Sequence, residues 1–155
     1  MLWDDMLRSA PMDVLNKFEY GLIRDHVELV VWQYSTKPAE HLPSDLLVRY
    51  RSSFRNGLWA ATAFKGATSS CALIPNVGVH VANHLGWEEM LAQSHNQSVF
   101  INGYILTGWQ RYDHFASLCE FLPVAIPSLK CCLIALQRGK FEREEVEEAK
   151  KILGT

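Results

Sequence analysis

The sequence lacks the long apolar run and the clustered positive charge that would point to a membrane or a nucleic acid. Its longest apolar stretch, residues 121–136, contains Pro123, Pro127 and Lys130 and is shorter than the roughly 20 residues that span a bilayer. The 15 Lys and Arg residues are outnumbered by 17 Asp and Glu, for a net charge of -2 at pH 7. Nucleic-acid binding normally needs a basic stripe. We therefore expect neither a membrane nor a nucleic acid as a partner.

Cysteine is also scarce, with four residues in a chain of 155. Cys71, Cys119, Cys131 and Cys132 show neither the spacing of a zinc site nor the density of a disulfide-built domain. This pattern favours a reducing compartment. The adjacent Cys131 and Cys132 lie in an apolar segment, where both thiols are expected to pack as small hydrophobic side chains.

Strand-like and helix-like segments alternate along the sequence. Short apolar segments predict strands at residues 1–3, 27–32, 58–64 and 99–109. Apolar residues at helical spacing predict helices from Pro11 to near Gly21, from Ser44 to the stop at Asn56-Gly57, from Pro75 to Ser94, from Phe115 to Arg138 and from Phe141 to Leu153. No hairpin signal joins two of the strands. The alternation is typical of an α/β fold with a parallel sheet.

Four strand-helix units amount to half of a (β/α)₈ barrel, also called a TIM barrel. The spacing between successive strand ends is close to the ~30 residues of a βαβ unit, and a whole barrel takes about 250 residues. We therefore predict that residues 1–155 form a single partial domain and that the other half of the barrel lies upstream of Met1. The small residues in the segment 58–64 suit the crowded interior of a barrel.

Aromatic and polar residues gather where the predicted strands end. Parallel β/α folds bind ligands at the carboxyl ends of their strands. Aromatic faces bind the C–H faces of sugars, and charged side chains bind sugar hydroxyl groups. The sequence therefore predicts a carbohydrate pocket formed by Trp3, Asp4, Trp32, Tyr34, Trp109, Arg111 and Asp113. The alternative interpretation is that the tryptophans are ordinary core anchors with a large buried area.

Four segments carry a resemblance to a known family. They read LWDDMLRS, VVWQYS, LWAATAFKGA and ILTGWQRYDHFASLCEFLPVAIPSL. Through them nearly the whole chain resembles the β-N-acetylhexosaminidases of glycoside hydrolase family 20, with strands that resemble barrel strands five to eight and C-terminal helices after them. The resemblance implies the C-terminal half of a catalytic barrel, which removes terminal N-acetyl-D-galactosamine or N-acetyl-D-glucosamine without a cofactor, in the cytoplasm and nucleus.

The resemblance also implies roles for several strand-end residues. Family members retain the anomeric configuration through attack by the sugar's own 2-acetamido oxygen, an exception to the two-carboxylate scheme. Trp3 and Trp109 match tryptophans that enclose the sugar, and Tyr34 matches a tyrosine that hydrogen-bonds the acetamide carbonyl. Arg111 stands where many members have the acid that holds O4 and O6, which leaves that contact to Asp113.

The catalytic residues of the family are missing from this sequence. The general acid and the residue that orients the acetamide form an Asp-Glu pair in the family, and no Asp is followed directly by Glu here. We therefore expect no catalytic residue in this chain, with the pair upstream of Met1. The alternative function is a non-catalytic truncated isoform or duplicate that acts as an interaction module, and a homo-oligomer is open in either case.

His80, His84 and Glu88 share one stripe of a predicted helix. Histidines four residues apart can bind a metal ion. The zinc-protease pattern, however, needs Glu directly after the first histidine, and Val81 stands there. A solvated helix face is the favoured interpretation, so we expect no metal site.

Overall fold

A parallel sheet of four strands organises the part of the chain that the computed structural model describes, residues 1–19, 23–94 and 100–139. The strands are β1 (Leu2–Trp3), β2 (Leu29–Trp32), β3 (Leu58–Lys65) and β4 (Gly103–Gly108). The helices are α1 (Met12–Glu19), α2 (Ile23–His26), α3 (Leu46–Ser53), α4 (Val77–Ser94) and α5 (Leu122–Arg138), and a 3₁₀ turn covers Pro38–Glu40. The predicted α/β class is confirmed.

Each strand runs parallel to its neighbour, and the spatial order β1-β2-β3-β4 repeats the order in the chain. The register sets Trp32 beside Ala61 and Ala63 beside Thr107. Because all four strands point the same way, their carboxyl ends meet at one edge of the sheet. The segments that follow the strands are therefore neighbours in space.

The fourth strand is shorter than the sequence predicted. It begins at Gly103, because the chain bends at Asn102 just before it. The side-chain amide of Asn102 donates to the backbone oxygen of Asn56 and to the Glu28 carboxylate, both at 3.1 Å. These bonds fasten the entry to β4 near the amino ends of β2 and β3. Trp109 lies one residue past the end of β4.

The last described helix also begins later than predicted, at Leu122 in place of Phe115. Residues 115–121 fold back on the segment after β4, where the Cys119 N–H donates to the Gln110 carbonyl oxygen at 2.7 Å. Pro123 is the second residue of the helix, and its fixed φ suits the first helical turn. The predicted helix end near Gly21 and the predicted helix Phe141–Leu153 lie outside the described residues.

The helices cover one face of the sheet. Alternate residues of a strand face opposite sides, and Leu29, Val31, Leu58 and Ala60 all belong to the core shared with α3 and α4. Trp87 of α4 is fully buried in the same core. The Trp87 indole is therefore a packing residue of this core.

A second apolar cluster joins α4 to α5. Cys131 and Cys132 of α5 pack there with Val81 and Ala135, so the prediction that both thiols serve as small hydrophobic side chains is confirmed. Burial raises the pKa of Cys132 to about 12, and the thiol therefore stays protonated. Within the described parts of the chain, no helix has both the length and the apolar character that a bilayer crossing needs.

We predict that the 155-residue chain self-associates. Within the described residues, β1 and β4 each pair with a single strand, and the large apolar side chains of Leu2, Trp3 and Phe100 are between 39% and 60% exposed. Open edges and apolar patches of this kind promote pairing with other chains. Size-exclusion chromatography with light scattering should show a mass that rises with concentration.

A charged residue introduced into an edge strand tests this association. Leu2→Lys should lower the measured mass at a given concentration, because a lysine on an edge strand opposes pairing. A monodisperse wild-type monomer that melts cooperatively would contradict the prediction.

Candidate functional site

Three aromatic rings form a continuous row at the carboxyl edge of the sheet, and this aromatic row consists of Trp32, Tyr34 and Trp109. The ring centroids of Trp32 and Tyr34 are 5.3 Å apart, and those of Tyr34 and Trp109 are 5.0 Å apart. These distances are within the range of favourable tilted aromatic pairs. The row brings together residues from the ends of β2 and β4, which are two strands apart.

The row can cross β3 because β3 carries small residues there. Ala61 and Ala63 are fully buried and alternate with the residues that face the helices. The Thr107 hydroxyl of β4, on the far side of the strand, donates to the Thr62 carbonyl oxygen at 2.8 Å. Burial raises the pKa of Tyr34, and the polar side chain of Thr107 opposes that shift. The phenol is therefore a neutral hydrogen-bond donor and acceptor at pH 7.

Arg8 fixes the first ring of the row, although no pattern in the sequence pointed to it. Its Nη2 donates to the Trp32 backbone oxygen at 2.7 Å, and its guanidinium carbon lies 4.6 Å from the Trp32 ring centroid. The indole N–H of Trp32 donates to Asp5 Oδ1 at 3.0 Å. A cation above one face and a carboxylate at the edge together fix the ring.

Asp4 occupies a different place from the one predicted. It is 0% exposed, and Arg8 donates to both of its carboxylate oxygens, from Nε at 3.0 Å and from Nη2 at 2.8 Å. The Tyr50 hydroxyl donates to it at 3.4 Å. Burial raises the pKa of Asp4, and the Arg8 guanidinium opposes the shift. The prediction of direct sugar contact is corrected on this ground: the carboxylate is enclosed and orients Arg8.

Trp109 rests flat against the backbone at the end of β3. A side chain at Gly66 would collide with the Trp109 indole, so only glycine admits the ring there. The Trp109 backbone oxygen accepts a hydrogen bond from Lys65 Nζ at 2.7 Å. Trp109 is nevertheless 36% exposed, so part of the residue remains open to solvent.

Three predicted site residues, Trp109, Arg111 and Asp113, line one open depression of about 690 Å³. Asp113 Oδ1 accepts hydrogen bonds from the backbone N–H groups of Phe115 and Ala116, both at 2.8 Å. Arg111 Nη1 donates weakly to the His114 carbonyl oxygen at 3.4 Å. Arg111 is therefore the more available of the two charged groups.

Trp3 ends β1, two strands away from β3, and its ring is 43% exposed. Its register partner is Val30, two positions before Trp32 on β2. Trp3 thus stands on the same face as the aromatic row, one layer further from the carboxyl edge. Its predicted part in the sugar site remains a prediction.

The helix stripe of His80, His84 and Glu88 faces inward, so its interpretation as a solvated face is wrong. His80 is 4% exposed and His84 is 0% exposed, because this side of α4 packs on β3. His84 Nε2 is 2.9 Å from Thr62 Oγ1, and Glu88 accepts the Tyr104 hydroxyl at 2.6 Å. Within the described residues, no group of three or more metal-binding side chains is present.

Asn83 of α4 holds the segment that carries Tyr34. Its Nδ2 donates to the backbone oxygens of Gln33 at 2.9 Å and Ser35 at 2.6 Å, and its Oδ1 accepts the Ala63 N–H at 3.3 Å. The fully buried amide thereby links α4, β3 and the loop after β2. A lone Asn within a helical segment gave no signal of this role in the sequence.

Comparison with known proteins identifies homologues of the chain among the hexosaminidases. No family model matches the chain, and the similar curated proteins are hexosaminidases. Over 154 residues the chain is 40% identical to human hexosaminidase D and 42% identical to bovine hexosaminidase D, with 99% of the chain covered in both. These matches cover 31% of the human protein and 43% of the bovine one. The chain is thus homologous to a part of hexosaminidase D, which confirms the resemblance found in the sequence motifs.

We predict that His80 makes folding stability depend on pH below neutrality. Burial lowers its pKa to about 4, with the neighbouring His84 acting in the same direction. Above pH ~6.5 the His80 side chain is neutral in both the folded and the unfolded protein. As the pH falls from ~6.5 towards 4, His80 of the unfolded protein binds a proton first, which lowers the free energy of unfolding. The difference in unfolding free energy attributable to His80 should reach about 3 kcal/mol at pH 4.

Urea unfolding between pH 4 and pH 7.5 measures this contribution. The pH profile of His80→Gln should lose this slope relative to the wild type. His41→Gln, at an exposed position, should keep the wild-type profile. Equal slopes for the wild type and His80→Gln would contradict the prediction.

Proposed function

We propose that the chain is the C-terminal half of the (β/α)₈ barrel of a β-N-acetylhexosaminidase and that its strand ends form walls of the sugar pocket. Three observations support this function. The four parallel strands lie side by side in chain order, which is compatible with half of a barrel, the aromatic row lies at their carboxyl ends, and the relatives are named hexosaminidase D. The remaining barrel strands and the Asp-Glu pair come from polypeptide outside these 155 residues.

The aromatic row is the observation that carries the proposal. The exposed part of Trp109 can stack on the C–H face of an N-acetyl sugar, and Tyr34 beside it offers a neutral hydroxyl for the acetamide carbonyl. In the substrate-assisted retaining reaction, the acetamide oxygen attacks the anomeric carbon. The task of these residues is to hold that oxygen in line for attack, a geometry to which rates are very sensitive.

Arg111 is the proposed partner of the sugar's outer hydroxyl groups. Its guanidinium borders the depression next to Trp109 and is exposed. Asp113 stabilises the loop in this proposal, because one of its oxygens is already bound to two backbone N–H groups. This division of roles alters the expectation from the resemblance, in which Asp113 was to take over the contact.

The second candidate function is a non-catalytic module that binds another protein. It is favoured by the absence of an Asp-Glu pair from the sequence and by the open edges of the described sheet. Such a module would need no sugar-binding wall, so substitutions in the aromatic row separate the two candidates. For either function we propose the cytoplasm and nucleus as the location, a choice supported by the four free cysteines.

We predict that the purified 155-residue chain does not hydrolyse aryl N-acetylgalactosaminides or N-acetylglucosaminides. The general acid that protonates the leaving group is missing, a loss of about 10²–10⁴-fold even before misplacement of the sugar is counted. A fluorogenic aryl glycoside provides the assay. Turnover that co-purifies with the chain through an additional chromatography step would contradict the half-barrel proposal and would point to an acid within the chain.

We predict that Trp109→Ala impairs catalysis in a complete barrel. The chimera for this test is a full-length hexosaminidase D in which this chain replaces the matching segment. Loss of the stacking wall should reduce kcat and raise KM, because misplacement of the sugar by ~1 Å can cost about 10²-fold in rate. Steady-state kinetics with an aryl N-acetylgalactosaminide measures both constants.

Trp87→Ala is the matched control, since it removes the same side chain from the core. It should lower the free energy of unfolding by about 3–5 kcal/mol. Its effect on kcat/KM should be small beside that of Trp109→Ala, because Asn83 still donates to the Gln33 carbonyl oxygen that Trp87 binds. If Trp109→Ala lowers the melting temperature as Trp87→Ala does and keeps normal kcat/KM, Trp109 is a core anchor and the pocket assignment is wrong.

A further inference from the structure

Two charged residues are buried beneath the aromatic row, and the proposed chemistry does not use them. Lys65, the last residue of β3, is 3% exposed, and Glu120, which precedes α5, is 0% exposed. Burial lowers the pKa of Lys65 and raises the pKa of Glu120, while the attraction between the two groups opposes each shift. Desolvating such groups is costly, and an apolar pair of similar volume is often at least as stable.

The hydrogen bonds of the two residues close a ring around Trp109. Lys65 Nζ donates to the backbone oxygens of Trp109 at 2.7 Å and Glu120 at 2.8 Å. Glu120 Oε2 in turn accepts the backbone N–H of Gly66 at 2.7 Å. Gly66 is the residue on which the Trp109 indole rests. Lys65 thus fixes the backbone of Trp109, and Glu120 fixes the Gly66 backbone beneath the Trp109 ring.

We infer that Lys65 and Glu120 are positioning residues that set the orientation of the Trp109 ring and thereby the fit of the pocket to an N-acetyl sugar. The inference rests on the proposed function for its consequence in catalysis. The claim that the two residues orient the Trp109 ring depends only on the ring of hydrogen bonds. Neither residue is placed in contact with the sugar.

The geometry explains why both polar groups are needed. The segment after β4 leaves the sheet at Trp109 and returns at Glu120, and the ammonium group of Lys65 binds a carbonyl oxygen at each point. An apolar side chain of similar length, such as methionine, cannot donate to either oxygen. Without the Glu120 carboxylate, the Gly66 N–H loses its acceptor, and the surface beneath the indole is free to tilt.

The ¹⁹F spectrum of the chain labelled with 5-fluorotryptophan tests the positioning role. The five tryptophans are assigned by Trp→Phe substitutions, and spectra are recorded below the concentration at which the chain associates. Lys65→Met and Glu120→Met should each shift or broaden the Trp109 resonance, because methionine can neither donate to the carbonyl oxygens nor accept from the Gly66 N–H as these residues do. The resonance of Trp87, fixed in the core by its bond to the Gln33 carbonyl oxygen at 3.0 Å, should stay in place and report a folded chain.

Two kinds of control accompany these variants. Lys37 and Glu40 form an exposed pair joined at 2.7 Å, and Lys37→Met and Glu40→Met make the same chemical changes there. Neither should move the Trp109 resonance. Gly66→Ala should move it, because the added methyl group displaces the indole directly.

The outcomes separate the possibilities. An unchanged Trp109 resonance in both Lys65→Met and Glu120→Met overturns the inference. Simultaneous loss of the Trp87 resonance in both variants also overturns it, since the pair then supports the whole fold. A shifted Trp109 with an unchanged Trp87 supports it.

Kinetics in the hexosaminidase D chimera tests the consequence for catalysis. Lys65→Met and Glu120→Met should lower kcat/KM for an aryl N-acetylgalactosaminide by about 10–100-fold, whereas Lys37→Met should leave it unchanged. If the ¹⁹F shifts appear and kcat/KM does not change in these variants or in Trp109→Ala, the positioning role stands and the proposed pocket fails. If Trp109→Ala impairs catalysis and the ¹⁹F shifts are absent, the pocket stands and the positioning role fails.

Discussion

The parallel register of β3 with its two neighbours is the constraint on which the candidate site depends. It places Ala61 beside Trp32 and Ala63 beside Thr107, so that two methyl groups lie between a tryptophan and a hydrogen-bonding hydroxyl. The aromatic row crosses the strand in that space. A slip of one residue would turn every side chain of β3 to the opposite face and would exchange the alanines for residues of the core.

Helix α4 fixes β3 and the loop after β2 in place through buried hydrogen bonds. Its polar residues point at the sheet and at the loop after β2, where Asn83 and Trp87 both donate to the Gln33 carbonyl oxygen. His84 binds Thr62 on β3 in the same layer. Because these groups are buried, a broken bond would leave an unsatisfied polar group away from water, at a cost of about 1–3 kcal/mol. The loop that bears Tyr34 is thus held by the core itself.

The sequence predicted the parts of the fold that follow from local periodicity. The four strands, the parallel class, the helix containing Trp87 and the gathering of Trp32, Tyr34 and Trp109 all follow from apolar spacing and from strand direction. Contacts between residues far apart in the sequence could not be predicted in this way: Arg8 binds Trp32, 24 residues away, and Lys65 binds Glu120, 55 residues away. The histidine stripe was misjudged because helical spacing defines a face without stating what that face packs against.

The contact between Gly66 and Trp109 makes the residue type allowed at one position depend on the other. The backbone of Gly66 does not have the positive φ that would itself demand glycine, and the collision with the indole is the restriction there. A lineage that replaced Trp109 by a small residue would therefore release position 66 to vary, and one that enlarged position 66 first would lose the ring. The two sites form an ordered evolutionary pair, in which change at 109 must precede change at 66.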